Sequence, residues 1–197
     1  SSKRPVTATA PKLKSGTLTY SGRAQNISGS AGSCSAGGTM YYYTTNYTST
    51  TAPTFSASAW TTTYPTTINV TNAGTYHLWY YCYVSDTSNN SGGNTAAEVT
   101  KTIERASVDE PSCTSATYNS TEQTLLAAHT SGGYTNDAIT GITAGDYSKT
   151  LTLNSNYKWS SGSNVTSNRT KTCSISTRSL TITAKAQSIV YGSSIAT

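Results

Sequence analysis

Apolar residues along this chain recur in twos. In the run from Tyr76 to Val84, Tyr76, Leu78, Tyr80, Cys82 and Val84 take alternate positions, and His77, Trp79, Tyr81 and Tyr83 take the others. That is the side-chain period of a strand, which places the two sets on opposite faces. Similar strand-like runs cover 39–43, 98–103, 148–153, 171–175 and 180–183. Clusters of Gly, Asn and Ser separate them at the short spacing expected of an all-β sandwich. No stretch carries a helical period. With the first face of the 76–84 run as core, Trp79, Tyr81 and Tyr83, joined by Tyr41 and Tyr43 of a neighbouring strand, form an aromatic second face. Two readings of that face stand open. It is a contact surface for protein or glycan, since an exposed apolar patch marks such a site, or the long segment after Tyr43 folds over it and buries it.

The pattern also repeats. Thr17–Ile27, with Tyr20 and Gln25, matches Ser115–Leu125, with Tyr118 and Gln123, and a shortened third copy begins at Gln187 and includes Tyr191 and Gly192. Downstream, Asn72-Ala73-Gly74-Thr75-Tyr76 matches Thr143-Ala144-Gly145-Asp146-Tyr147. The paired motifs lie 56 residues apart in the first copy and 29 in the second. The difference is an insertion from Tyr41 to Tyr64, read as an added hairpin. The boundaries are therefore an arm at 1–13, a long first repeat at 14–105, a second repeat at 106–178, and at 179–197 the first strand of a third repeat or a linker. An Ala-Gly-x-Tyr motif opening a late strand has the form of a tyrosine corner, in which the phenol bonds to nearby backbone. Tyr76 and Tyr147 are the two candidates.

Composition agrees with strands and removes several function classes. Leu, Ile, Val and Phe number only 25, while 15 Tyr and 3 Trp supply large apolar side chains and 70 Ser and Thr supply the polar faces. A core of Tyr, Val, Ile and Thr favours strands over helices. No apolar run approaches the ~20 residues of a membrane helix. Two His and eight acidic residues are a thin supply of general acids and bases, so the expectation is a protein without catalysis, cofactor or metal.

Charge is placed unevenly. Lys3, Arg4, Lys12, Lys14 and Arg23 are the whole excess of +5, and residues 1–85 contain no acid. In a Pro-, Ser- and Thr-rich leader this reads as an extended arm, either solvated or docking onto an acidic wall polymer or an assembled shell. Five dispersed cations without a recognition motif do not make a specific nucleic-acid site. Cys34, Cys82, Cys113 and Cys173 lack the spacing of a zinc site. Disulfides are expected, and the sequence alone allows three connectivities.

The order Tyr20-Ser21-Gly22-x-x-Gln25, Gly37-Gly38-Thr39-Met40-Tyr41-Tyr42, Asn72-Ala73-Gly74-Thr75-Tyr76 and Val99-Thr100-Lys101-Thr102-Ile103 resembles tandem bacterial Ig-like repeats. Tyr118-Asn119, Ala144-Gly145-Asp146-Tyr147 and Tyr157-Lys158-Trp159-Ser160-Ser161-Gly162 resemble another variant of the same module. The stretch from Leu180 to Gly192 resembles the opening of an MBG (mostly-beta, Gram-positive) repeat. The resemblance implies tandem Ig-like β-sandwich domains with a truncated third repeat. It implies no catalytic residue. An Ig-like strand order also implies the pairs Cys34–Cys82 and Cys113–Cys173. The function it implies is a structural or adhesive array, extracellular on a bacterial surface, that meets a protein or glycan. The alternative is a phage virion fibre or capsid-decoration protein anchored by the basic arm.

Overall fold

The computed structural model describes residues 2–188 and 190–192. The fold is all-β, with no helix among the described residues. The strands of the first part are β1 (Arg4–Val6), β2 (Ala8–Thr9), β3 (Lys12–Leu13), β4 (Leu18–Thr19), β5 (Gln25–Asn26), β6 (Ser28–Ser30), β7 (Ser33–Cys34) and β8 (Thr39–Tyr43). After a long irregular loop come β9 (Asn69–Val70), β10 (Gly74–Tyr83), β11 (Asn90–Gly92) and β12 (Ala96–Glu104). The remainder holds β13 (Ala106–Val108), β14 (Ala116–Thr117), β15 (Gln123–Leu126), β16 (Tyr134–Thr135), β17 (Ile139–Gly141), β18 (Gly145–Leu153), β19 (Tyr157–Trp159) and β20 (Arg169–Ser176). Five of the six strand-like runs in the sequence lie on β8, β10, β12, β18 and β20. These are the longest strands, where period-two alternation has room to show.

Two four-stranded sheets have corresponding orders, β4-β12-β10-β8 and β14-β20-β18-β16. In each, a short early strand runs parallel to the last one: Leu18 is opposite Ile103, and Ala116 is opposite Ile175. Antiparallel pairs β5–β9 and β15–β17 supply further strands. Smaller signatures repeat as well. Gln25 Nε2 donates to the Thr19 carbonyl and Gln123 Nε2 to that of Thr117. Gly74 and Gly145 open β10 and β18 with φ of 151° and 146°, a region a side chain rarely enters. That conformation explains the glycine of the shared Ala-Gly-x-Tyr motif.

By its contacts the chain divides into two compact units. One holds residues up to 110 with 129–136 and 151–169, and the other holds 111–128, 137–150 and the residues from 170 on. The core of the first joins Ile27, Met40, Tyr42, Ile68, Val70, Leu78 and Ile103, with Tyr76 and Tyr80 half-buried against it. Val6, Cys82 and Val84 form a small second cluster. The core of the other unit is Leu125, Ile139, Cys173 and Ile175. Leu78, Cys82 and Val84 are buried, so the first face of the 76–84 run is the core face.

Three expectations are corrected. The 1–13 stretch is not an extended arm: β1 pairs with β11, β2 with β7 and β3 with β6. Two- and three-residue strands leave no periodic signal, and their hydrogen bonds come from partners far along the chain. The 41–64 insertion is not a hairpin beyond β8. It is an irregular loop tied back by a bridge between Tyr42 and Thr61. Residues 180–183 form no strand, and Leu180 and Ile182 stand 83% and 84% exposed. The rest of the expected third repeat at Ile189 and Ser193–Thr197 lies outside the described residues.

Candidate contact surface

The aromatic face is built by register. β8 and β10 pair antiparallel with Tyr43 opposite Trp79, Tyr41 opposite Tyr81 and Thr39 opposite Tyr83. Alternation then puts Tyr41, Tyr43, Trp79, Tyr81 and Tyr83 on one side of the sheet, with Met40 and Tyr42 turned to the core. The sequence brings these five together correctly. What it leaves open, the loop after β8 settles. Phe55 stacks on Tyr81 with ring centroids 4.1 Å apart and planes 9° from parallel, and lies 5.3 Å from Tyr83. Its edge meets Tyr41 at 5.2 Å. Trp60 lies 5.5 Å from Tyr43 and 5.9 Å from Tyr81. Backbone ties hold the loop in place: Trp79 Nε1 donates to the Ser49 carbonyl at 2.9 Å, and the His77 N–H to that of Tyr47 at 2.7 Å. Trp60 Nε1 in turn donates to the Thr54 carbonyl.

Of the two readings of this face, the structure has the loop after β8 folded over it. Trp79 is 8% exposed and Trp60 4%, whereas Tyr83 keeps 38%. Tyr41, Tyr43, Phe55 and Tyr81 are half-buried. The rings of Tyr41, Tyr43, Phe55, Trp60, Tyr81 and Tyr83 form one connected cluster, of which Tyr83 is the most exposed. No periodicity in the sequence marks Phe55 and Trp60 as part of this face. The available signal was that the only Phe of the chain sits in a segment of Thr, Ser and Ala, where an isolated large ring needs a partner. His77 lies on the same face, its Nδ1 2.6 Å from Glu98 Oε2 of β12. At the other end of β10, Gly74, Ile103, Glu104, Arg105 and Lys158 line a pocket of about 330 Å³.

Both corner tyrosines have the expected geometry. Tyr76 Oη donates to the Asn72 carbonyl at 2.7 Å, and Tyr147 Oη to that of Thr143 at 2.9 Å, each four residues back. Burial raises the pKa of the Tyr76 phenol above its ordinary value. Burial does the same for Tyr47, and for Tyr42, where the nearby Tyr64 adds to it.

Cys34 is bonded to Cys82 and Cys113 to Cys173. The first bridge joins β7 to β10. The second joins the residues just ahead of β14 to β20, that is, the beginning of the second repeat to its last strand.

The basic residues of the N-terminal stretch are spent within the fold or spread over it. Lys3 Nζ donates to the Thr87 carbonyl at 2.6 Å and Arg4 Nε to Asn90 Oδ1 at 3.0 Å. Just ahead of those partners, Asp86 accepts from the Asn89 side chain, the Asn89 N–H and the Ser88 N–H. These bonds, led by the Asn89 amide and helped by the Arg4 charge, hold its carboxyl below the usual range. Lys12, Lys14 and Arg23 are exposed. Among the described residues, no three His, Cys, Asp or Glu are grouped to hold a metal ion, and no helix is long and apolar enough to cross a membrane. Comparison with family models, curated proteins and solved structures finds no match to this chain.

Proposed function

We propose that this chain is a non-catalytic structural or adhesive segment, built from tandem Ig-like modules related to the MBG class and displayed outside the cell on a bacterial surface. The observation that carries the reading is repetition. Corresponding sheet orders, Gln side-chain bonds and tyrosine corners occur twice in succession, and each copy contains one disulfide. Serial modules crosslinked one by one suit a stalk, whose work is to span distance and stay folded. Two disulfides suit an oxidising compartment. Engagement of Lys3 and Arg4 with the 86–90 turn favours this reading over a virion protein held by a free basic arm. Immunogold labelling with antibody to the chain tests it on intact producing cells. Label on the outer surface is expected. Label confined to the cytoplasm overturns the reading, and label on released phage particles replaces it with the virion alternative.

A further inference from the structure

We infer that the disulfides set the path of mechanical load through the chain, so that the second repeat is inextensible while the first can yield in part. The inference rests on the stalk reading above, in which tension enters at one end of the chain and leaves at the other.

The Cys113–Cys173 bridge holds two residues 60 apart in sequence at a Cα separation of 5.6 Å. The crosslinked positions bracket nearly the whole repeat. Cys113 precedes β14, Cys173 lies within β20, and these two strands pair in parallel. Leu125, Ile139, Leu151 and Trp159, the most deeply buried side chains of this part of the chain, all fall between the two cysteines. Tension arriving at Cys113 therefore crosses directly to Cys173 through covalent bonds. The chain between the two cysteines is not drawn out while the bridge holds.

The first repeat is wired differently. Its bridge joins Cys34 to Cys82, 48 residues apart, and protects β8, β9 and most of β10. β4 and β12 lie outside that loop. They pair in parallel, Leu18 opposite Ile103 and Thr19 opposite Glu104, and the Tyr20 N–H donates to the Glu104 carbonyl at 2.8 Å. Lys101 Nζ adds a bond to the Gly16 carbonyl. Pulling the two ends of the chain apart shears β1 against β11, which also pair in parallel outside that loop, and slides β4 against β12, so these two patches resist.

Single-molecule pulling on the full chain, held by handles at its two ends, reads this as length. Stretched chain spans at most about 3.3–3.6 Å per residue. The Cys113–Cys173 loop thus hides about 200 Å and the Cys34–Cys82 loop about 160 Å. Wild type is expected to end about 360 Å short of a variant with all four cysteines replaced by serine. Cys113→Ser with Cys173→Ser is expected to restore about 200 Å. That endpoint holds even if the variant does not fold, because it depends only on covalent connectivity. A second comparison asks where the force goes. Leu18→Ala, on β4 opposite Ile103, is expected to lower the force of the first-repeat step. A force that this variant leaves unchanged shows that β4 and β12 do not carry the load and overturns the inference. So does wild type reaching the full length of an uncrosslinked chain. Surface labelling and these lengths are independent measurements, so a failed stalk reading and a failed load path are told apart.

Discussion

At the scale of single residues, the two corner tyrosines do a defined job. Each phenol satisfies a carbonyl four residues back at the point where the chain turns into its longest strand. Tyr76→Phe and Tyr147→Phe keep the ring and remove only that bond. Each is expected to cost about 1 kcal/mol, seen as a lower urea midpoint with an unchanged slope. An unchanged midpoint in both would mean that the rings alone make the corner. The phenols also set an alkaline limit. Tyr42, Tyr47 and Tyr76 have folded pKa values above the unfolded value of about 10, so folding favours their neutral form. Their contribution is complete below about pH 10 and is lost as pH rises through the folded values. Denaturant titrations from neutral to strongly alkaline pH, read with tyrosinate absorbance, should show stability falling only above pH 10, and less steeply in Tyr42→Phe. A decline that begins well below that point would place its cause in other groups.

At the scale of elements, the loop between β8 and β9 shows how a segment without secondary structure can still be specific. Its position is fixed by Phe55 and Trp60 packing on the sheet, and by backbone carbonyls of Tyr47 and Ser49 accepting from His77 and Trp79. Phe55→Ala removes the ring stacked between Tyr81 and Tyr83. About 1–3 kcal/mol of stability should be lost, less than for a fully buried Phe because this one is half-exposed. Near-UV circular dichroism should weaken and tryptophan emission shift to the red as Trp79 and Trp60 meet water. An unchanged spectrum would mean that the backbone ties alone hold the loop. The crosslinks act on the other large elements. Replacing either cystine by two serines should lower stability by roughly 2–4 kcal/mol, in part by freeing the unfolded chain. Parallel thermal melts of the two variants under non-reducing conditions measure it, and a wild-type midpoint in both would show that neither bridge constrains the unfolded state.

At the scale of the whole molecule, what was legible in the sequence follows the range of the forces involved. The long strands β8, β10, β12, β18 and β20 announce themselves because alternation is a local property: a side chain's face depends only on its neighbours in the chain. The repeat is legible for the same reason, since Gly74 and Gly145, or Tyr76 and Tyr147, perform local tasks at matched offsets. Local order stops short of the N-terminal stretch, where Arg4–Val6 becomes a strand only because Asn90–Gly92 is there to receive it. It also stops short of residues 180–183, whose alternation promises a strand but finds no strand partner among the described residues. The sequence by itself thus determined an all-β chain, its principal strands, its internal repetition and which residues share the aromatic face. Only the tertiary structure decided that this face is covered, that the basic leader is folded in, and which segments each disulfide encloses. Those outcomes depend on contacts between residues tens of positions apart, and no periodicity encodes which distant segment will pack on which face.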